Sequence, residues 1–189
     1  MKNFKTIAIA LLVAFSATTI NAQTKKVDVS KSKINWVGKK VTGRHEGTVN
    51  LKDGTLVFKG KKLTGGSFTI DMTSINTTDL KAGQGKEKLD GHLKADDFFG
   101  TENFPTSTLI FDSVIDNGNN IYAVKANLII KGINKPIFFN LLVNNSKATT
   151  SFKVDRTKYN IKYGSGSFFD SLGDKAISDE FELAVELFF

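Results

Sequence analysis

Residues 180–187 read Glu180-Phe181-Glu182-Leu183-Ala184-Val185-Glu186-Leu187, an unbroken alternation of polar or small with apolar side chains. Successive side chains of an extended chain point to opposite faces. Phe181, Leu183, Val185 and Leu187 therefore share one face, and Glu180, Glu182, Ala184 and Glu186 share the other. A helix would scatter both sets around its circumference. One apolar and one acidic face describe a strand of an antiparallel sheet with a core on one side and water on the other.

The same period recurs upstream. Val49 and Leu51 alternate with Thr48, Asn50 and Lys52, and Asp53-Gly54 then gives a hairpin signal, with Leu56 and Phe58 alternating on the return. Phe68, Ile70 and Met72 form another face, Leu109 and Phe111 a third, and Tyr122, Val124, Ala126, Leu128 and Ile130 a fourth. Around Phe138 both faces are apolar (Ile137-Phe138-Phe139, then Leu141-Leu142-Val143), which predicts a strand covered on both sides. Asn117-Gly118-Asn119-Asn120 and Asn144-Asn145 are turns, and Pro136 fits a strand start. Lys59, Lys61 and Lys62 around Gly60 read as a solvated hairpin tip. About eight strands at hairpin spacing predict a sandwich or an up-and-down barrel.

One segment breaks the period. In residues 79–105, Lys86 to Leu93 suits two helical turns, although Gly91 weakens them, and Asp96-Asp97-Phe98-Phe99 suits a short turn with an apolar underside. This connector is long enough to cover a sheet face or one end of a barrel.

Residues 1–22 have the secretory pattern: Lys2 and Lys5, an apolar run from Ile7 to Phe15, then small residues up to Ala22. The run is too short to cross about 30 Å of hydrocarbon. A cleaved leader over 1–22 and one domain over 23–189 are expected, with a periplasmic or secreted location. The domain would have 167 of the 189 residues, 24 basic against 19 acidic, net +5. That bias is spread along the chain, without the basic stripe of a nucleic-acid binder. There is no cysteine for a disulfide or a lipid anchor. Sixteen Phe against three Tyr and one Trp is the oddity, and rings without a polar handle are buried or face a ligand or lipid.

No catalytic constellation stands out. His45 and His92 are the two histidines, and with no Cys they make a poor metal site, so none is expected. Gly164-Ser165-Gly166-Ser167 lacks the Lys and the helix of a phosphate loop and reads as a rim loop. Asp96 and Asp97, adjacent in a turn, do not converge on one substrate. What remains is apolar surface: an eight-stranded barrel is either filled by its side chains or holds one small ligand, and composition alone supports both equally.

Three ordered segments resemble the YceI family of periplasmic, lipocalin-like, polyisoprenoid-binding proteins. They are Asp90-Gly91-His92-Leu93-Lys94-Ala95-Asp96-Asp97-Phe98-Phe99 followed by Asn103-Phe104-Pro105, the run from Ala126 to Ile137 through Lys131-Gly132 and Lys135-Pro136, and the run from Phe152 to Ile161 through Arg156. The resemblance implies an eight-stranded antiparallel lipocalin-like barrel with a short helical connector and no required cofactor. A quinone or polyprenyl chain would thread its lumen. It implies Leu93, Phe98, Phe99, Pro105, Gly132 and Pro136 as structural anchors. His45, His92 and Arg156 become rim or head-group candidates, with an ion pair the favoured role of Arg156. Combined with the alternation, it makes Val49, Leu51, Phe68, Ile70, Met72, Leu109, Phe111, Leu128, Phe139, Leu141, Phe152, Leu183 and Val185 lumen candidates. The implied partner is an apolar lipid, with transient membrane contact and room for a homodimer. Two departures stand out: Lys39-Lys40 occupy the place where many members carry a His, and Gly60 to Gly66 suggests a longer hairpin than usual. The competing readings are a small outer-membrane barrel and an enzyme acting on an apolar substrate through His45 and Tyr122.

Overall fold

The computed structural model describes residues 21–189. The expected leader lies outside the described residues except for Asn21 and Ala22. Among the described residues nine strands and one α-helix follow in chain order, with short 3-10 turns at Arg156–Tyr159 and Gly173–Lys175: β1 (Ala22–Lys26), β2 (Lys33–Lys40), β3 (Gly43–Lys59), β4 (Lys62–Thr77), α1 (Lys86–Lys94), β5 (Thr106–Asp116), β6 (Ile121–Ile130), β7 (Ile133–Asn144), β8 (Lys147–Asp155) and β9 (Ile177–Phe188). Strands β2 to β9 form a closed antiparallel ring of eight, ordered β3-β2-β9-β8-β7-β6-β5-β4 and back to β3. The short β1 is additional. It pairs with Thr55 to Lys59 of β3, continuing the edge that β2 covers at Gly43 to Val49.

The Asp53-Gly54 hairpin does not exist. Both residues lie inside the 17-residue β3, where a bulge between Leu51 and Asp53 slips the register against β4 by one residue. The slip changes parity, so Val49 and Leu51 before it and Leu56 and Phe58 after it all point inward. Gly54 serves packing rather than turning, since a Cβ there would lie 2.8 Å from the Phe68 ring. The real turn is the two residues Gly60-Lys61, with Gly60 at φ 63°, and Leu63 to Gly66 pair with Leu56 to Phe58 in a long β3–β4 hairpin of 17- and 16-residue strands. Lys59, Lys61 and Lys62 are exposed at its tip.

Helix α1 packs beside β4, with Leu93 as its buried residue. Gly91 lies inside α1 all the same, with open space where a Cβ would be. The β6–β7 turn places Lys131 at φ 50° and Gly132 at φ 72°, left-handed at both positions as the strand twist prefers. Lys131 Nζ donates to the carbonyls of Asp96 (2.6 Å) and Phe98 (2.9 Å), tying the connector to that turn.

The acidic face of β9 is outward and paired with lysines of its neighbours: Lys39–Glu182 at 2.7 Å, Lys147–Glu186 at 3.1 Å and Lys153–Glu180 at 3.2 Å. The covered outer face expected of β7 is bare. Phe138 is 70% exposed and Leu142 37%, while α1 lies against β4.

Candidate functional site

The ring is half filled. At the end holding the β3–β4, β5–β6 and β7–β8 turns, Val27, Leu56, Phe58, Leu63, Tyr122 and Val143 form a solid buried core. Toward the other end, where the connector and the β8–β9 loop lie, the interior is hollow. The cavity is about 170 Å3, whereas a water molecule needs about 10–15 Å3 on the same measure. Its lining on β9 runs from Ile177 to Leu187, about 33 Å along a strand and about 25 Å along the axis of a tilted barrel. With lining side chains on all eight strands of the ring, the cavity is elongated along the barrel.

All thirteen residues selected by alternation line this cavity: Val49, Leu51, Phe68, Ile70, Met72, Leu109, Phe111, Leu128, Phe139, Leu141, Phe152, Leu183 and Val185. Further lining comes from Ile34 and Trp36 of β2, Ile75, Ser107, Ile130, Phe181 and Leu187. Ile34 and Trp36 carry a period-two signal in Lys33-Ile34-Asn35-Trp36, and Phe181 and Leu187 belong to the opening alternation.

The connector closes one end. Leu93, Phe98 and Phe99 line the cavity, Phe98 meets Phe99 edge-on at 5.4 Å, and Phe99 meets Phe181 of β9 at 6.0 Å and 87°. Met72 N donates to Pro105 O at 2.9 Å, which seats the end of the connector against β4. Lys39, Ser178 and Glu180 are the exposed members of the lining and mark the mouth. There the β2–β9 register slips between Gly38 and Lys40.

Of the three polar candidates, Arg156 alone reaches the lumen. It is 2% exposed and donates Nε to Ser178 O (2.9 Å), Nη1 to Ile161 O (2.9 Å) and Nη2 to Ile177 O (3.1 Å). Its ion pair with Asp179 is long, at 3.8 Å, so the carbonyls hold it more than the acid does. Burial lowers its pKa, with Asp179 and Asp155 opposing. His45 lies outside the lumen, 2.8 Å from Asp79 at the root of the connector. His92 also lies outside, its ring edge-on to Tyr163 (4.4 Å) and Phe98 (5.5 Å). Tyr122 sits in the solid core.

A closed antiparallel barrel with an apolar cavity inside and charge outside has the architecture of a lipocalin-like barrel. Residues 26–189 match the model of the YceI-like domain, and the chain belongs to that family. A 91-residue stretch is 31% identical to the UPF0312 protein of Shewanella denitrificans, covering 48% of this chain and 45% of that relative, so the match spans less than half of the relative's length. The fold is shared with BcnA of Burkholderia cenocepacia (TM-score 0.68, 23% identity, 85% of this chain and 98% of that one). It is shared too with a polyisoprenoid binding domain from Saccharophagus degradans (TM-score 0.58, 15% identity, 86% and 95%) and with the YceI protein of Campylobacter jejuni (TM-score 0.53, 14% identity, 98% and 96%).

Proposed function

We propose that the protein binds and carries a long isoprenoid lipid, a quinone or polyprenyl chain, in its lumen, and catalyses no reaction. The observation that carries this reading is the elongated cavity lined by inward apolar residues from eight strands and the connector. Family membership supports it, as does the polyisoprenoid binding named for the Saccharophagus neighbour. Burying about ten methylenes is worth roughly 8 kcal/mol, enough for about micromolar binding before ordering costs. The outer-membrane reading is disfavoured because such barrels are apolar outside and polar inside, the reverse of this one. The placement of His45 and Tyr122 away from the lumen weighs against the enzyme reading.

The leader pattern supports export, with the carrier working in the periplasm or outside the cell. Transient membrane contact is best supported beside the mouth. Val41 (65% exposed) stands out there, and its N–H is held by Ala176 O.

Native mass spectrometry and organic extraction of protein recovered from its own host test the proposal. One prenyl lipid per chain is expected. Repeated recovery of lipid-free protein would contradict it.

A further inference from the structure

Ser107 is the second residue of β5, pairs with Ile70 of β4 and lines the lumen. It is 4% exposed, and its Oγ has no hydrogen-bond partner. The other polar groups of the lining are engaged. Thr150 Oγ1 donates to Asn140 O at 2.7 Å, the Arg156 guanidinium is shared among three carbonyls, and Lys39 pairs with Glu182. Among the described residues, Ser107 Oγ is the one buried side-chain polar atom of the lumen left unpaired.

An apolar tail gives this hydroxyl nothing, and alanine would serve a tail better, because a buried hydroxyl without a partner is destabilising. We infer that Ser107 hydrogen-bonds an oxygen of the ligand's head group, so that the head lies inside the barrel near the connector. This inference rests on the lumen reading above and deepens it. The tail then runs toward Phe111, Phe139 and Leu187, where the lining is apolar and the barrel ends in its solid core.

The same site sets the class of head. The buried cation of the lining, Arg156, is already engaged by carbonyls and faced by Asp179, so a diphosphate drawn inside would meet no free positive charge. A neutral, oxygen-bearing head fits: a quinone, a phenol or an alcohol. Ser107 discriminates it from a plain prenyl hydrocarbon by one hydrogen bond.

The test compares Ser107→Ala with the unmodified chain. The probes are a prenylated benzoquinone, a prenyl hydrocarbon of equal length and the corresponding prenyl diphosphate, each competing with one fluorescent apolar probe. Ser107→Ala should weaken the quinone about five- to tenfold and leave the hydrocarbon within about twofold. Ser107→Thr, which keeps the hydroxyl, should retain the quinone-to-hydrocarbon ratio. General loosening of the barrel cancels in that ratio. An unchanged ratio in Ser107→Ala, or a diphosphate bound more tightly than the quinone, would overturn the role of Ser107 while leaving the lumen reading standing. Failure of all three probes on the unmodified protein would overturn the lumen reading and this inference with it.

Discussion

Phe139 and Phe152 stack with ring centroids 4.8 Å apart and planes 20° from parallel, at a level of the barrel where β7 and β8 no longer pair. Those strands share three residue pairs, Leu142–Thr149 to Asn144–Lys147, whereas β6 and β7 share ten. Side chains therefore do there what a backbone ladder does elsewhere. Phe139→Ala should cost about 3–4 kcal/mol and Phe152→Ala less, since Phe152 is only partly buried. A double-mutant cycle by urea denaturation should give a coupling of about 1 kcal/mol between them. Additive effects would mean that the stack holds nothing together.

Arg156 binds three carbonyls spread over Ile161, Ile177 and Ser178, so it pins the β8–β9 loop to the end of the barrel. Its guanidinium also lies 5.7 Å from the centroid of the Phe98 ring. Arg156→Ala should cost about 3–5 kcal/mol in thermal or chemical unfolding. Arg156→Lys should recover little, because one ammonium cannot reproduce a planar fork of donors. Full rescue by lysine would mean that charge alone matters.

Gly47 lies opposite Trp36 in the β2–β3 ladder. A Cβ at that position would come within 2.1 Å of Asn76 O and 2.5 Å of the Trp36 ring. One of those groups is backbone, so the sheet itself would have to move. Gly47→Ala should destabilise by about 3 kcal/mol and shift the emission of Trp36, the single tryptophan of the chain. An unshifted spectrum with wild-type stability would contradict the close packing of β2 on β3.

Asp90 on α1 accepts hydrogen bonds from Thr77 N (2.8 Å) and Lys86 Nζ. Burial raises its pKa, but the bonds from Lys86 and Thr77 outweigh burial and hold the carboxyl below its ordinary value of 3.8. A depressed folded pKa adds stability that is present above the ordinary value and is lost as pH falls through the folded one. Asp90→Asn should therefore cost about 1–2 kcal/mol at pH 7. The two proteins should converge in urea midpoint once the carboxylate is protonated in both folded and unfolded states. A difference that persists in strong acid would assign the effect to shape rather than charge.

The inward faces were legible because parity is a local property. Each of the thirteen alternating residues, from Val49 to Val185, carries its direction in its neighbours, and the ring of strands turned all of them into the lumen. Ser107 was equally legible, two residues before Leu109 and four before Phe111, but a lone serine at an inward position looks unremarkable until its missing partner is seen. Asp53-Gly54 misled because the same dipeptide suits a turn or a bulge, and only Phe68 on the next strand decides between them. The carbonyls around Arg156 come from residues as far as 22 positions away, so no local pattern announced them. Hollow or filled was not decidable from composition, because it depends on which end of a long β3 and β4 each apolar face reaches.

Trp36 lines the cavity and has no other tryptophan to mask it, so its fluorescence reports lumen occupancy directly. Titration with a prenylated quinone, whose ring quenches indole emission, should give saturable quenching at one ligand per chain. A bulky Leu109→Trp,Trp36→Phe variant, which fills the cavity beside Phe68, should bind the same quinone at least about tenfold more weakly in competition with a fluorescent apolar probe. Linear, unsaturable quenching of Trp36, together with undiminished binding by the filled variant, would contradict a ligand in the lumen.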